Sequence, residues 1–219
     1  MIAPLAAETV SASSIASLDA HLLCTLPPAL IFSDDAGRLP FERNEITFLY
    51  DIPVLNEEHK PHLLGIAAIR TVVLARAEAN LFEDGQIDAL IRASGGSLRL
   101  LFSLIREAGM EAEIAGDSAV TALAAARAVD LSIAPFRNRL GTGPYDSKPV
   151  TWEQKAEKLK QVYEGKAPAP DDTLYSLLRS RAVLFVNGIG RYAVHPIVVD
   201  ILRDAKILDA NCEGGVRPV

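Results

Sequence analysis

The sequence predicts a mainly α-helical protein with a small β component. Apolar residues recur every three or four positions over residues 64–82 and again from residue 97 onward, which is the spacing of one buried helix face. Near the C-terminus, the apolar run 183–186 is followed by an Asn-Gly pair and a returning run at 192–194, which predicts a β-hairpin. Of the 219 residues, 49% are hydrophobic and 23% are charged, so the chain can bury a core.

The first 63 residues predict two short strands after a flexible lead-in of about 12 residues. The run HLLCTL at 21–26 is apolar enough for a buried strand, and the two prolines that follow end it. Residues 29–33 then predict a helical turn. The stretch 45–50 alternates at its start and is rich in β-branched and aromatic residues, so it predicts the second strand.

Four helices are predicted between residues 64 and 140. The first covers 64–82, and Gly85 begins a short second helix that ends near Ile91. The third covers about 97–115. A break at 116–118 offers capping residues, and an Ala-rich fourth helix follows to about residue 133. Because proline removes a backbone N–H and restricts the residue before it, we expect this helix to end or kink before Pro135.

The last third of the chain begins with a Gly- and Pro-rich stretch at 141–150, which predicts a linker. Helices are expected at 152–163 and 173–180, followed by the hairpin and a final helix at about 197–205, for which Pro196 suits the first turn. Helices followed by a hairpin suggest a winged-helix-like unit. The predicted domains are therefore residues 1–63, 64–140 and 141–219.

Charge, cysteine content and the length of the apolar runs disfavour several classes of protein. The net charge of −6 disfavours nonspecific nucleic-acid binding, which needs clustered Lys and Arg, although it leaves room for a local basic face. Cys24 and Cys212 lack the paired spacing of zinc ligands, so no metal site is expected. No apolar run is long enough to span a bilayer, and the start lacks the features of a signal peptide, so we expect a cytoplasmic protein without membrane contact.

A candidate anion site lies in the stretch RASGGSLRLLFSL. Ser94, Gly95 and Gly96 precede a helix whose first backbone N–H groups can bind an anion. Arg99 lies in the first turns of that helix and would add a charge-assisted bond to a phosphate. The alternative is structural: Ser94 or Ser97 caps the helix, and Arg99 is solvated or pairs with an acid.

The most basic part of the chain is the stretch KAEKLKQ. In a winged unit, Lys155 and Lys158 of this helix and Arg181 and Arg191 near the hairpin are candidates for contacts to a DNA backbone. The same helix carries two glutamates, which equally fits an ordinary exposed face of i,i+4 ion pairs.

Three other patterns favour structural interpretations. The acids at 34 and 35 follow an apolar run, as in a Mg²⁺-binding strand, but no phosphate loop precedes them, so we expect a solvated turn. His195 has no nucleophile near it in sequence, so a bond to the backbone is expected rather than general-base catalysis. His59 and His62 lack a third metal ligand, which favours a loop.

Four segments resemble, in their order, the C-terminal part of a bacterial AAA/STAND-like P-loop ATPase. They are HLLCTLPPALIF, GIAAIRTVVLARA, SGGSLRLLFSLI and VLFVNGIGRYAVHPIVVDIL, and together they lie within residues 20–205. The resemblance implies a remnant of the α/β ATPase core with the sensor 1 region, then a helical lid bundle with Arg99 at the sensor 2 position, and then a winged-helix domain. The chain departs from the family in lacking Walker A and Walker B, and Thr25 is a weak substitute for a polar sensor 1 residue.

This departure bears directly on activity. Phosphoryl transfer needs a cradle for the β- and γ-phosphates and Mg²⁺, so we expect no ATP hydrolysis by this chain alone. ATP and Mg²⁺ would enter only with a missing nucleotide-binding half. The first hypothesis is a lid and winged-helix module, non-catalytic alone, with a regulatory or interaction role. The alternative is a winged-helix DNA-binding regulator, and a hydrolase using His195 ranks last.

A protein partner or self-association is part of the first hypothesis. The Ala-rich helix at 118–133 is suited to pack either within the chain or against another copy.

Overall fold

The computed structural model describes residues 19, 21, 23–26, 28–31, 37, 39, 45–141, 149–186 and 191–216. The chain divides into two units, Met1–Leu49 and Tyr50–Val219, and most contacts lie within one unit or the other. In the first unit a single turn, α1 (Pro28–Ile31), lies where a helical turn is predicted. The described residues of 21–26 and 46–50 lie outside helices and strands, so the two predicted strands are wrong there. A short apolar run forms a strand only when a neighbouring strand pairs with it.

The second unit is mainly helical with one small antiparallel hairpin, which confirms the predicted fold class. Its strands are β1 (Val183–Val186) and β2 (Arg191–Val194), paired so that Val183 is opposite Val194. Its helices are, in chain order, α2 (Leu63–Leu74), α3 (Gln86–Ala93), α4 (Leu98–Ala115), α5 (Ala122–Leu140), α6 (Trp152–Tyr163), α7 (Asp172–Arg179) and α8 (Pro196–Asp204).

Helix α2 ends at Leu74, eight residues earlier than its apolar pattern predicts. The chain then turns, and a 3-10 turn follows at Ala79–Leu81. The Val120 N–H donates to the Leu81 carbonyl, and the Glu83 N–H donates to the Val120 carbonyl. These long-range bonds hold the segment beside the start of α5, and this pairing replaces the predicted continuation of the helix.

Helix α5 continues through Pro135 to Leu140, so the predicted end before Pro135 is wrong, and a kink there stays a prediction. A proline inside a helix costs about 3 kcal/mol, because it removes one backbone hydrogen bond and crowds the preceding turn. Phe136 and Leu140 are both buried, and each such side chain stabilises by roughly 1.5–3 kcal/mol. Burial of the last turn therefore offsets the cost of the proline.

The longest helices, α4 and α5, pack along each other. Ser97 caps α4 and Thr121 caps α5, each by accepting a hydrogen bond from the backbone three residues on. Part of the Ala-rich pattern is buried within the chain, whereas Ala122 and Ala126 are exposed, so packing against another copy stays a prediction. The buried alanines of the two helices are Ala108, Ala112, Ala124, Ala125 and Ala128.

Two of the C-terminal helices pack against the hairpin. Helix α6 packs on α7 and β2, α7 packs on β1, and α8 packs on α5 and α3. Strand β1 is buried along its whole length. The helices predicted at 152–163 and 173–180, the two hairpin runs and the final helix are confirmed within a residue or two. The Asn-Gly turn and most of the predicted linker lie outside the described residues, and the three domain boundaries and the winged-helix assignment stay predictions.

Throughout the described ranges, every helix is too short or too polar to cross a lipid bilayer.

Candidate functional site

The turn between α3 and α4 contains the Ser-Gly-Gly sequence of the predicted anion site. Ser94 is fully buried. Its hydroxyl donates to the Ile91 carbonyl over 2.7 Å and accepts from the Gly96 N–H over 3.2 Å. Both hydrogen-bonding roles of the hydroxyl are therefore used within the turn.

Gly95 and Gly96 are required by backbone conformation and by packing. Their φ angles are +61° and +87°, a left-handed region that other residues rarely adopt. A Cβ atom added to Gly95 would lie 2.8 Å from the His195 imidazole Nε2, and one added to Gly96 would overlap the Ile52 carbonyl oxygen. The two glycines thus let this turn approach α8 and the segment before α2.

His195 forms the other half of this contact. It is the N-cap of α8, and its Nδ1 accepts a hydrogen bond from the Ile197 N–H over 3.3 Å. Its Nε2 therefore carries the ring proton and donates to the Ser94 carbonyl, also over 3.3 Å. The Phe136 ring lies against it, with 4.5 Å between the ring centroids.

The electrostatics of this position favour the neutral imidazole. Burial, with the nearby positive charges of Arg181 and Arg139, lowers the pKa of His195 to about 3, and the hydrogen bond to the Ser94 carbonyl opposes this decrease. A neutral, buried imidazole with both nitrogens bonded to backbone is a structural group. The prediction that His195 bonds to the backbone is confirmed.

Arg99 lies apart from this buried contact. It is exposed, and no acid or carbonyl in the described part of the chain pairs with it. Ser97, rather than Ser94, caps α4, by accepting from the Leu100 N–H over 3.4 Å. Of the predicted anion site, Arg99 and the start of α4 face solvent, while Ser94 and the two glycines are bonded and packed inside. Nucleotide binding here stays a prediction.

The two lysines predicted to contact DNA are bonded within the protein. Lys155 is buried, and its ammonium donates to the Gly141 carbonyl over 2.7 Å. Lys158 is mostly buried and forms an ion pair with Asp171, the N-cap of α7, over 2.8 Å. Both side chains thus join α6 to neighbouring segments, and neither presents a free charge to solvent.

The two arginines predicted to contact DNA also have acidic neighbours. Arg181 pairs with Asp51 over 2.6 Å, which links the start of the hairpin to the segment before α2. Arg191 lies 3.7 Å from a Glu57 carboxylate that is largely exposed, so this pair is weak. Arg191 is therefore the least closely paired of the four predicted contacts.

A buried cluster that the sequence analysis missed holds the C-terminal segment. Asp200 on α8 is fully buried. Its carboxylate accepts from Arg203 over 2.8 Å and from the Val216 N–H over 2.9 Å. The same guanidinium donates to the Cys212 sulfur over 3.2 Å and to the Cys212 carbonyl. An Asp and an Arg three residues apart on one helix are a weak signal for such a cluster, since this spacing is common on exposed faces.

Aromatic groups extend this cluster. The His59 and Tyr163 rings stack in parallel with 4.1 Å between their centroids, and the Tyr163 hydroxyl donates to the Glu213 carbonyl over 2.9 Å. Burial lowers the pKa of His59, with Arg191 adding to the decrease and the Tyr163 carbonyl opposing it. Burial, and after it a hydrogen bond between the Tyr163 hydroxyl and the Cys212 side chain, raises the pKa of Tyr163. Within the described residues, no three His, Cys, Asp or Glu side chains lie close enough to hold a metal ion.

A cleft of about 400 Å³ lies where α5 and α8 end and α6 begins. Arg137 and Asp204 form an ion pair over 2.5 Å at its rim. Sequence analysis did not identify this cleft, because its walls come from three separate helices and none of its residues forms a local motif. Its lining residues are Arg137, Leu140, Gly141, Trp152, Ile201, Asp204 and Ala205.

Comparisons with known proteins give no relative: no family model matches the chain, and no curated protein or solved structure matches it significantly.

Proposed function

We propose that this chain is a lid and winged-helix module of an ATPase-like protein, non-catalytic alone, with a regulatory or interaction role in the cytoplasm. The observation that carries the interaction role is the exposed apolar face of α2. Leu63 is 76% exposed and Leu64 is 80% exposed, at the start of a helix whose only charged residue is Arg70. A single exposed leucine is common, but an exposed helix face with three leucines and one charged residue, itself ion-paired, is not.

Both faces of α2 are mostly apolar. Gly65, Ile66, Ile69 and Val73 are buried against the rest of the unit. A surface helix normally carries polar residues on its other side, because water solvates them at no cost. Here the other side consists of leucine and alanine with one threonine and one arginine, Arg70, whose charge is paired with Asp88 of α3. This composition favours contact with another protein surface. The exposed residues of this face are Leu63, Leu64, Ala67, Ala68, Arg70, Thr71 and Leu74.

The size of the face favours a contact that forms and breaks. A helix of 12 residues is about 18 Å long, and a stripe about 10 Å wide along it covers on the order of 200 Å². A stable interface buries roughly 800 Å² on each partner. The α2 face alone is therefore too small for a permanent dimer, and it suits one part of a larger, regulated contact.

The partner in this proposal is the nucleotide-binding half of an ATPase-like protein. Two features support that choice: the order of the segments that resemble the lid and winged helix, and the exposed guanidinium of Arg99 at the start of α4. An arginine that has no partner among the described residues is available to a phosphate that another chain brings.

The deciding experiment is site-specific crosslinking in the cells that produce the protein. A photo-crosslinking amino acid replaces Ala68, in the middle of the α2 face, and captured proteins are identified by mass spectrometry. We expect a protein that carries Walker A and Walker B motifs. The matched control places the same amino acid at Glu157, on the exposed surface of α6, where we expect no such capture.

If Ala68 crosslinks only to another copy of this chain, self-association replaces this proposal. If Ala68 and Glu157 capture the same proteins equally, the α2 face is not the interaction surface. ATP turnover by the purified chain would overturn the non-catalytic part.

DNA binding through the winged unit is the weaker alternative on this geometry. A DNA-binding surface needs several unpaired cations side by side to displace counterions from the phosphates. Lys155, Lys158 and Arg181 are instead buried or closely paired with acids and carbonyls of the same chain.

A further inference from the structure

The cleft between α5, α6 and α8 combines an apolar floor with an arginine at its rim. Leu140 and Ile201 are both buried and form part of the floor, and Trp152, the first residue of α6, adds an aromatic surface. The volume of about 400 Å³ lies in the range of sites that enclose small molecules, roughly 300–1,000 Å³. A compact apolar body would find both shape and contact surface in this cleft.

Arg137 is the lining residue that favours an anionic group on that ligand. It forms an ion pair with Asp204, and the Lys155 ammonium donates to the Gly141 carbonyl within the protein. An anionic group would therefore contact the N–H groups of Arg137 that the ion pair leaves unused.

Arg137 has donors to spare for such a group. Its guanidinium has five N–H groups, and the bond to Asp204 comes from Nη2. The side chain is 53% exposed, and no other residue in the described ranges accepts a hydrogen bond from it. The planar fork of an arginine matches a carboxylate in two-point geometry, which makes a carboxylate the best-fitting anion.

We propose that this cleft binds a small organic monocarboxylate with an apolar body, whose carboxylate contacts Arg137 and whose body lies on Leu140, Ile201 and Trp152. The proposal goes beyond the lid and winged-helix function and does not depend on it. The ligand would contact helices of both predicted domains, 64–140 and 141–219, and would therefore stabilise their junction when bound.

The chain offers a direct probe of this binding, because Trp152 is its only tryptophan. Purified full-length protein is titrated with octanoate and with 3-phenylpropionate while the tryptophan fluorescence is followed. We expect a saturable change with at least one of the two carboxylates. Octanol and octylamine serve as matched ligands that keep the apolar body and change the charge, and we expect both to bind at least tenfold more weakly than octanoate.

Substitutions of the charged residues test whether Arg137 binds the carboxylate. Arg137→Ala should weaken carboxylate binding about tenfold or more, as expected for the loss of a charged hydrogen bond. Asp204→Asn should strengthen it several-fold, because it removes the competing acid from Arg137 without changing shape. Arg127→Ala is the matched control, since Arg127 lies on the same helix, is similarly exposed and pairs with Glu111 away from the cleft.

Circular dichroism and thermal unfolding confirm that each variant is folded, and Arg137→Lys is a milder second variant if Arg137→Ala unfolds. The proposal is overturned if neither carboxylate gives a saturable change, if octylamine or octanol binds as tightly as octanoate, or if Arg137 variants bind like the Arg127 control.

Discussion

The imidazole Nε2 of His195 donates a hydrogen bond to the carbonyl oxygen of Ser94 over 3.3 Å, between residues 101 positions apart in the chain. This bond joins the α3–α4 turn to the N-terminus of α8. It passes directly over Gly95, where a Cβ atom would lie 2.8 Å from the same nitrogen. The Ser-Gly-Gly part of the predicted anion site is thus a tightly packed contact between helices.

Gly95→Ala should therefore destabilise the fold strongly. The substitution forces a side chain into a left-handed conformation and against His195, and we expect a loss of about 2–4 kcal/mol. Gly85→Ala is the control, because Gly85 also has a positive φ but has open space around it, so only the conformational cost of about 1–2 kcal/mol applies. Urea unfolding of both variants measures the difference; equal losses would contradict the packing argument.

Stability should fall as the pH decreases below about 6.5. His195 has a pKa of about 3 in the folded state and 6.5 in the unfolded state, so between these values the unfolded chain binds a proton that the folded chain does not. The stabilisation is complete above pH 6.5 and decreases by up to about 1.4 kcal/mol per pH unit as the pH falls.

The measurement for this prediction is urea unfolding from pH 7 to pH 4.5 for the wild type and for His195→Asn. Asparagine retains an acceptor for the N-cap and does not titrate. The variant is expected to show a shallower decrease than the wild type, although His59 still titrates in both. Identical pH profiles would remove His195 as the cause.

Asp200 and Asp204 lie on the same helix, α8, and should differ widely in how much each contributes to the stability of the fold. Asp200 is buried with Arg203 and the Val216 N–H, and Asp200→Ala leaves a nearly buried guanidinium without its carboxylate, for a loss of about 3–5 kcal/mol. Asp204 forms an exposed pair with Arg137, so Asp204→Ala should cost less than about 1 kcal/mol. Thermal unfolding tests the ranking, which similar losses in the two variants would refute.

Nucleotide binding by the chain alone should be weak or undetectable. Calorimetric titration with ATP and with ADP in the presence of Mg²⁺ is the test, and any weak affinity should disappear in Arg99→Ala. Arg106→Ala, two turns further along the exposed surface of α4, should leave that affinity unchanged. Tight binding by the wild type would point to a phosphate site other than the start of α4.

The DNA-binding alternative makes its own prediction. If the winged unit binds DNA, affinity must fall steeply with salt, and Lys158→Ala and Arg191→Ala must each reduce that salt dependence by about one counterion. Because these side chains pair with Asp171 and Glu57, we expect little salt-dependent binding in a fluorescence anisotropy titration. A steep salt dependence that both substitutions reduce would favour the alternative.

The helices were predictable because local patterns determine them. Spacing and caps place α4 and α6 within a residue of their observed starts, and the hairpin runs are recognisable from their apolar residues. The errors have long-range causes. Pairing with Val120 shortens α2, and burial of Phe136 carries α5 past Pro135.

The candidate sites were less predictable than the fold, for a related reason. The sequence around the glycine pair predicts either an anion site or a helix cap, and the close contact of Gly95 with His195 is not visible in it because the two residues are far apart in the chain. The cleft at Arg137 and Trp152 is assembled from helices far apart in sequence, so local spacing carries no signal of it.

The contact between Gly95 and His195 also restricts how this sequence changes during evolution. A side chain at position 95 needs the space that the imidazole occupies, so substitutions at positions 95 and 195 should be tolerated together more often than singly. Among homologous chains, the two positions should therefore covary, with glycine at 95 wherever a large ring stands at 195.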